Sequence, residues 1–200
     1  MKNIIYIGGS PCAGKSTLSE YLGNKLGYKV IRLDDYMDEH VKEADENQQP
    51  VMYKWKTRPW HELFSRPVDL QVEEEIEFYH EQWPFLIERL KCEVNEKMII
   101  EGCALLPAFV GDLHGHVFYM VPSEDFQREK YAERTWAFGL LKDADDPKDA
   151  FNKWMERDIN FASYVKRQAE EYDYKVYVID GNKSVEEIGR LITEELQVKS

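Results

Sequence analysis

Apolar residues along this chain follow two rhythms. Five short runs rich in β-branched and aromatic residues read as strands, at residues 4–8, 29–33, 97–101, 116–121 and 174–180. Between them, apolar positions recur at helical spacing. Behind the first run they fall at Leu18, Tyr21, Leu22 and Leu26, and near the C-terminus at Val185, Ile188, Leu191, Ile192 and Leu196. Ser184, with Glu187 three residues on, forms a capping box at the head of that last pattern and predicts a surface helix closing the fold. Strands alternating with helices predict an α/β fold, a five-stranded parallel sheet with helices on both faces.

Two segments exceed a minimal unit of this kind. Residues 36–95 separate the second and third strands and hold a helical pattern at Val72, Ile76, Tyr79, Trp83, Leu86, Ile87 and Leu90, in which Pro84 is expected to start or kink a turn. Residues 124–171 form a second long helical stretch, broken by a loop at Asp143-Ala144-Asp145-Asp146-Pro147. Ligands of open α/β sheets lie beyond the carboxyl ends of the strands, so insertions leaving those ends cover the site. One is expected to hold an acceptor molecule and the other to contain a lid.

The chemistry starts between the first strand and the helix behind it, where residues 9–17 read G-S-P-C-A-G-K-S-T. This satisfies G-x-x-x-x-G-K-[ST] in the strand, loop, helix setting that gives the pattern its meaning. Gly9 and Gly14 let the backbone wrap a phosphate chain, with Ser10, Cys12, Ala13 and Thr17 completing the cradle. The helix dipole adds to the field. Lys15 would reach the β- and γ-phosphates and the Ser16 hydroxyl would ligate Mg²⁺, so the loop predicts binding of a nucleoside triphosphate.

Composition narrows the rest. Two hundred residues, 43% hydrophobic and 13% aromatic, suit one α/β domain with a full core. A net charge of −12 with no offsetting basic cluster argues against nucleic acid as a partner. The three cysteines, Cys12, Cys92 and Cys103, form neither a paired framework nor a metal spacing. No signal peptide and no run of about 20 apolar residues is present, so no membrane partner is expected and the chain reads as soluble and cytoplasmic. Monomer and homodimer both stay open.

Several residues carry candidate roles beside plainer ones. Asp34 and Asp35 follow the second strand, where a carboxylate would face the γ-phosphate as general base or hold the metal's water shell; a solvated acidic turn is the alternative. Asp34, first past the strand, is the preferred base. Glu101 closes an otherwise apolar strand, which is costly unless the carboxylate is paired or used, and a metal or substrate role is expected. Arg128, Arg134 and Arg157 in the second insertion suit the charge of phosphoryl transfer, although Glu129, Glu133, Glu156 and Asp158 offer each an ordinary salt bridge. Arg58 and Arg66 with Trp55, Trp60 and His61 in the first insertion suit a ring or an anionic group on an acceptor, or else an aromatic mini-core. Cys12 sits near a helix N-terminus, where thiol pKa tends to fall, yet it reads more simply as a small residue that the loop tolerates. His114 and His116 lack a third ligand at zinc spacing.

On these residues the chain resembles the P-loop small-molecule kinases, and within them the uridine and nicotinamide riboside kinase branch. The likeness rests on residues 9–17, on Leu33-Asp34-Asp35-Tyr36, on residues 99–106, on Val121-Pro122-Ser123-Glu124 ahead of Arg128, and on residues 178–184. The resemblance implies a three-layer P-loop NTPase sandwich using ATP and Mg²⁺ to phosphorylate a small-molecule hydroxyl, on a nucleoside, sugar or polyol. It implies a base at Asp34, metal and acceptor contacts at Glu101, lid arginines, and an adenine near Gly181. A nucleoside monophosphate kinase, with Arg58 and Arg66 clamping a phosphate, and a non-catalytic nucleotide switch are the alternatives. Asn182-Lys183-Ser184-Val185 fails the guanine-reading Asn-Lys-x-Asp element at its fourth position.

Overall fold

The computed structural model describes residues 3–93 and 97–198. In chain order it contains β1 (Asn3–Gly9), α1 (Lys15–Leu26), β2 (Lys29–Arg32), a 3₁₀ turn at Leu33–Tyr36, α2 (Met37–Glu43), α3 (Pro50–Thr57), α4 (Trp60–Phe64) and α5 (Val68–Lys91). There follow β3 (Lys97–Glu101), α6 (Pro107–Val110), β4 (His116–Pro122), α7 (Glu124–Ala132), α8 (Thr135–Leu140), α9 (Pro147–Glu171), β5 (Lys175–Ile179) and α10 (Val185–Val198). All five expected strands are present, with no end shifted by more than one residue. Val94 and Asn95, the last residues of the expected first insertion, lie outside the described residues.

The strands form one parallel sheet in the order β2-β3-β1-β4-β5. Successive side chains of a strand face opposite ways, and here both faces are apolar. Ile5, Ile7, Ile99, Phe118, Met120 and Ile179 meet Leu18 and Leu22 of α1 and Ile188 and Ile192 of α10. The alternate positions, among them Tyr6, Ile31, Met98, Ile100 and Tyr119, meet the second layer of helices, led by Phe78 and Leu86 of α5 and Phe161 and Val165 of α9. The result is three layers.

Local chemistry sets the helix ends. The Ser184 hydroxyl accepts from Glu187 N–H at 3.2 Å while the Glu187 carboxylate accepts from Ser184 N–H at 2.7 Å, the reciprocal capping box ahead of α10. The Asp146 carboxylate accepts from the N–H groups of Lys148 and Asp149, and Pro147 fits the first turn, so the acidic loop at 143–147 starts α9. Pro84 neither starts nor ends a helix. It lies inside α5 on the exposed side, where the buried face of a 24-residue helix carries the chain through the missing hydrogen bond. Among the described residues no helix is long and apolar enough to cross a membrane.

Register positions the site. Ile7, Glu101 and Arg32 stand level at the carboxyl ends of β1, β3 and β2. Everything that follows these residues, including the glycine loop, Asp34 and Cys103, therefore emerges at one end of the sheet, under α3, α4, α5 and the α7–α9 segment.

Candidate functional site

The loop after β1 has the backbone its glycines predict. Gly9 takes φ 145°, and a Cβ there would collide with the Met120 carbonyl; Gly14 takes φ 76° at the head of α1. Cys12 also lies in the left-handed region, at φ 62°. Lys15 is buried, and its ammonium donates to the Ser10 carbonyl at 2.9 Å and to Cys103 Sγ at 3.1 Å. Burial alone would lower its pKa, but Cys103, Asp34 and Glu101 around it raise it instead, so the side chain stays a cation.

Asp34 is the second residue of the 3₁₀ turn directly behind β2, and its Oδ1 accepts from Cys103 N–H at 3.1 Å. This ties two strand ends together and leaves the other oxygen uncommitted to that bond. Glu101, 1% exposed, keeps Oε2 without a hydrogen-bond partner. Burial raises its pKa; Lys15, a hydrogen bond with Ser16 and the Arg32 guanidinium, whose Nε stands 4.0 Å away, oppose the rise. A buried, under-partnered carboxylate beside the Ser16 hydroxyl is a donor set suited to Mg²⁺, which takes one or two carboxylate or hydroxyl oxygens and fills its remaining sites with phosphate and water.

Two hollows meet at the loop. A cavity of about 580 Å³ is bordered by residues 11–17, Asp34, Cys103, Arg134 and Arg157, and on its far side by Trp55, Trp60, Phe64, Tyr79 and Trp154. A second, of about 630 Å³, lies across the loop between Met120, Phe126, Ile179, Gly181, Val185 and Ile188, with Lys130 and Lys183 at its edge. Cys12, Ala13, Gly14, Thr17 and Arg134 border both. A larger hollow of about 680 Å³ at the amino ends of β4 and β5, lined by residues such as His116, Glu170 and Lys175, holds none of the motif residues.

The structure sorts the remaining candidates. Arg134 stands over the Tyr131 and Trp136 rings, 4.8 and 5.8 Å from their centroids, and reaches both cavities. Arg157 borders the first cavity but is clamped, Nη1 to Glu75 at 2.6 Å and Nη2 to Asp158 at 2.5 Å, with Asp158 also accepting from Tyr131 Oη at 2.7 Å. Arg128 pairs with Glu124 at 3.3 Å on the exposed side of α7, outside both cavities. Arg66 pairs with Glu74 at 2.6 Å; Arg58 is exposed and, like Asp35, does not border the first cavity. Gly9 and Ser10 shape the loop from behind. The Cys12 thiol agrees with its plainer reading as a small residue of the loop, since burial pushes it up to about 11 against the pull of Arg134 and Lys15, which leaves it a neutral thiol.

Pattern reading passed over Glu75, Asp158 as a clamp, Phe64, Tyr79, Trp154 and Cys103. Glu75 had a signal: it falls at helical spacing with Val72 and Tyr79 on the face of α5 that turns inward, where a carboxylate needs a partner.

No protein-family model matches the chain, and no curated protein sequence matches it. Solved structures do. Shikimate kinase from Acinetobacter baumannii, in complex with shikimate, aligns over 99% of this chain and 94% of its own with a TM-score of 0.54 and 15% identity. Deoxyadenosine kinase from M. mycoides, with bound dATP, aligns over 97% and 99% with a TM-score of 0.52 and 18% identity. The chain has the fold of the P-loop kinases. TT1252 from Thermus thermophilus shares it, at a TM-score of 0.53 and 17% identity over 99% and 98% of the two chains. In P-loop kinase terms, the loop, Asp34 and Glu101 all sit at the carboxyl end of the sheet, where open α/β folds bind ligands.

Proposed function

We propose that this chain is an ATP-dependent kinase that moves the γ-phosphoryl group to a hydroxyl of a small molecule. The observation that carries the reading is the joint placement of the Lys15 ammonium and the Asp34 carboxylate on one cavity at the mouth of the glycine loop. The hollow beyond the loop, where Met120, Phe126, Ile179, Val185 and Ile188 supply apolar wall beside Gly181, suits a purine ring, and the loop lies between it and the Asp34 side. ATP laid across the loop would place its γ-phosphate in reach of Lys15.

The chemistry then divides among this chain's own groups. Asp34, held by Cys103 N–H, accepts the proton of the attacking hydroxyl as its oxygen bonds to the γ-phosphorus and the bond to the bridging oxygen of ADP breaks. Lys15 and Arg134 neutralise charge spread over the transferring oxygens. Ser16 and Glu101 would hold Mg²⁺ or its waters, and the bound ion supplies further neutralisation of the phosphates. Residues 36–95 serve as the acceptor-binding insertion and residues 124–171 contain the lid. An alcohol acceptor fits this site better than a nucleoside monophosphate, because Arg66 is neutralised by Glu74 and Arg58 stands outside the cavity.

Phosphorus NMR of the purified protein with ATP, Mg²⁺ and a panel of alcohols, nucleosides and nucleotides tests the proposal. A new phosphomonoester is the expected result. A nucleoside diphosphate made from a monophosphate, or no product with any acceptor, overturns it.

A further inference from the structure

The acceptor side of the first cavity is built largely of aromatic faces. Trp60 stacks on Phe64 with centroids 5.6 Å apart and planes 14° apart, and Phe64 stacks on Trp154 at 4.3 Å and 8°. Trp55 meets Trp60 edge-on at 5.1 Å. These residues come from α3, α4 and α9, so three elements hold the wall in place before any ligand arrives. A cavity of about 580 Å³ is within the size range of small-ligand sites.

The cation at that end is already outweighed. Arg157 faces two carboxylates, Glu75 and Asp158, and with Asp34 nearby the local balance is negative. The remaining cations on the cavity, Lys15 and Arg134, belong to its phosphate end. A phosphate or carboxylate on the acceptor would find repulsion there.

Yet the wall has a polar edge. Arg157 commits Nε and Nη2 to Asp158 and Nη1 to Glu75, which uses three of its five N–H groups. Glu75 accepts from Tyr79 Oη at 2.9 Å and from Arg157 at 2.6 Å, one bond on each oxygen, with lone pairs to spare. A donor thus stands beside an acceptor at the cavity surface, a pairing complementary to a planar edge that carries N–H next to a ring nitrogen or carbonyl. The Trp154 indole N–H, buried on the same wall, has no hydrogen-bond partner among the described residues.

We infer that the phosphoryl acceptor is an uncharged alcohol bearing a flat, hydrogen-bonding heteroaromatic ring, whose face lies against the half-buried Trp55 and Trp60, backed by the buried Phe64, and whose edge is read by Glu75 and Arg157. This rests on the kinase reading above. Ring-free polyols leave the aromatic wall unused, and phosphorylated acceptors meet uncompensated negative charge.

The test compares three acceptor classes with ATP and Mg²⁺: the common ribo- and deoxyribonucleosides with pyridoxine, then glycerol and erythritol, then nucleoside monophosphates. Transfer to at least one ring-bearing alcohol is expected. For it, Trp60→Leu should raise KM about tenfold while kcat and the KM for ATP change little, and Trp60→Phe, which keeps a ring face, should recover most of the loss. Transfer confined to glycerol, erythritol or the monophosphates overturns the ring inference while a kinase remains. A Trp60→Leu that lowers kcat and raises both KM values together marks a structural role and overturns the assignment of the wall. A protein folded by circular dichroism that transfers to none of the three classes overturns the kinase reading itself.

Discussion

Asp34 and Asp35 are adjacent in the chain and separated by the fold. A 3₁₀ turn rotates successive side chains apart, and Asp34 alone of the two borders the cavity and takes the Cys103 N–H. Asp34→Asn keeps shape and removes the carboxylate proposed as proton acceptor, so kcat should fall roughly 10²-fold or more with ATP affinity within a few-fold. Asp35→Asn is the control, expected near wild type in the same steady-state assay; a larger effect there would move the base. Sequence reading preferred Asp34 because a residue directly past a parallel strand stands at the ligand end, and that argument needs no contacts. It had no comparable argument for the arginines. Arg128, Arg134 and Arg157 look alike in the sequence, each with acidic neighbours, and what separates them is placement: Arg157 is buried, Arg134 borders both cavities and Arg128 neither, which depends on how α7, α8 and α9 lie on the rest of the molecule.

Helices α5 and α9 are clasped where Arg157 on one meets Glu75 on the other, with Asp158 and Tyr131 completing a buried chain of polar contacts. Removing one member leaves the others charged in an apolar surround. Arg157→Leu should therefore cost about 3–5 kcal/mol of unfolding free energy, seen as a lower urea midpoint, because breaking a buried pair strands its partners. An Arg157→Leu protein with an unchanged midpoint and a reduced kcat would instead make Arg157 a transition-state group. The elements themselves were legible to different degrees. The strands stood out because buried parallel strands are short apolar runs with sharp polar borders, and α10 because its cap and its periodicity agree. The helices α2, α3 and α4 were hidden inside residues 36–95, each being eight residues or fewer and too short for a periodic pattern to declare itself. Pro84 misled for a related reason, since a proline is tolerated within a long helix when it faces outward and packing supplies the stability.

The whole molecule carries a net charge of −12, yet its glycine loop has the backbone of an anion cradle, so a field suited to an anion is confined to the carboxyl end of the sheet. Glu101 makes this confinement visible in stability. Its folded pKa lies above the free value of 4.5, so the folded state binds the proton more tightly than the unfolded one, and stability is lost as pH rises from there through the raised value. Glu101→Gln removes that decline: urea titrations of both proteins at rising pH should show the wild type losing ground against the variant, and parallel curves would contradict the assignment. Finally, one thin partition, made of Cys12, Ala13, Gly14, Thr17 and Arg134, separates the two hollows. A ligand that draws Arg134 toward one side changes what the other side offers, and linked equilibria require the factor to be the same in both directions. Nucleotide and acceptor would then each sharpen or blunt the affinity for the other to an equal extent, whichever of them arrives first.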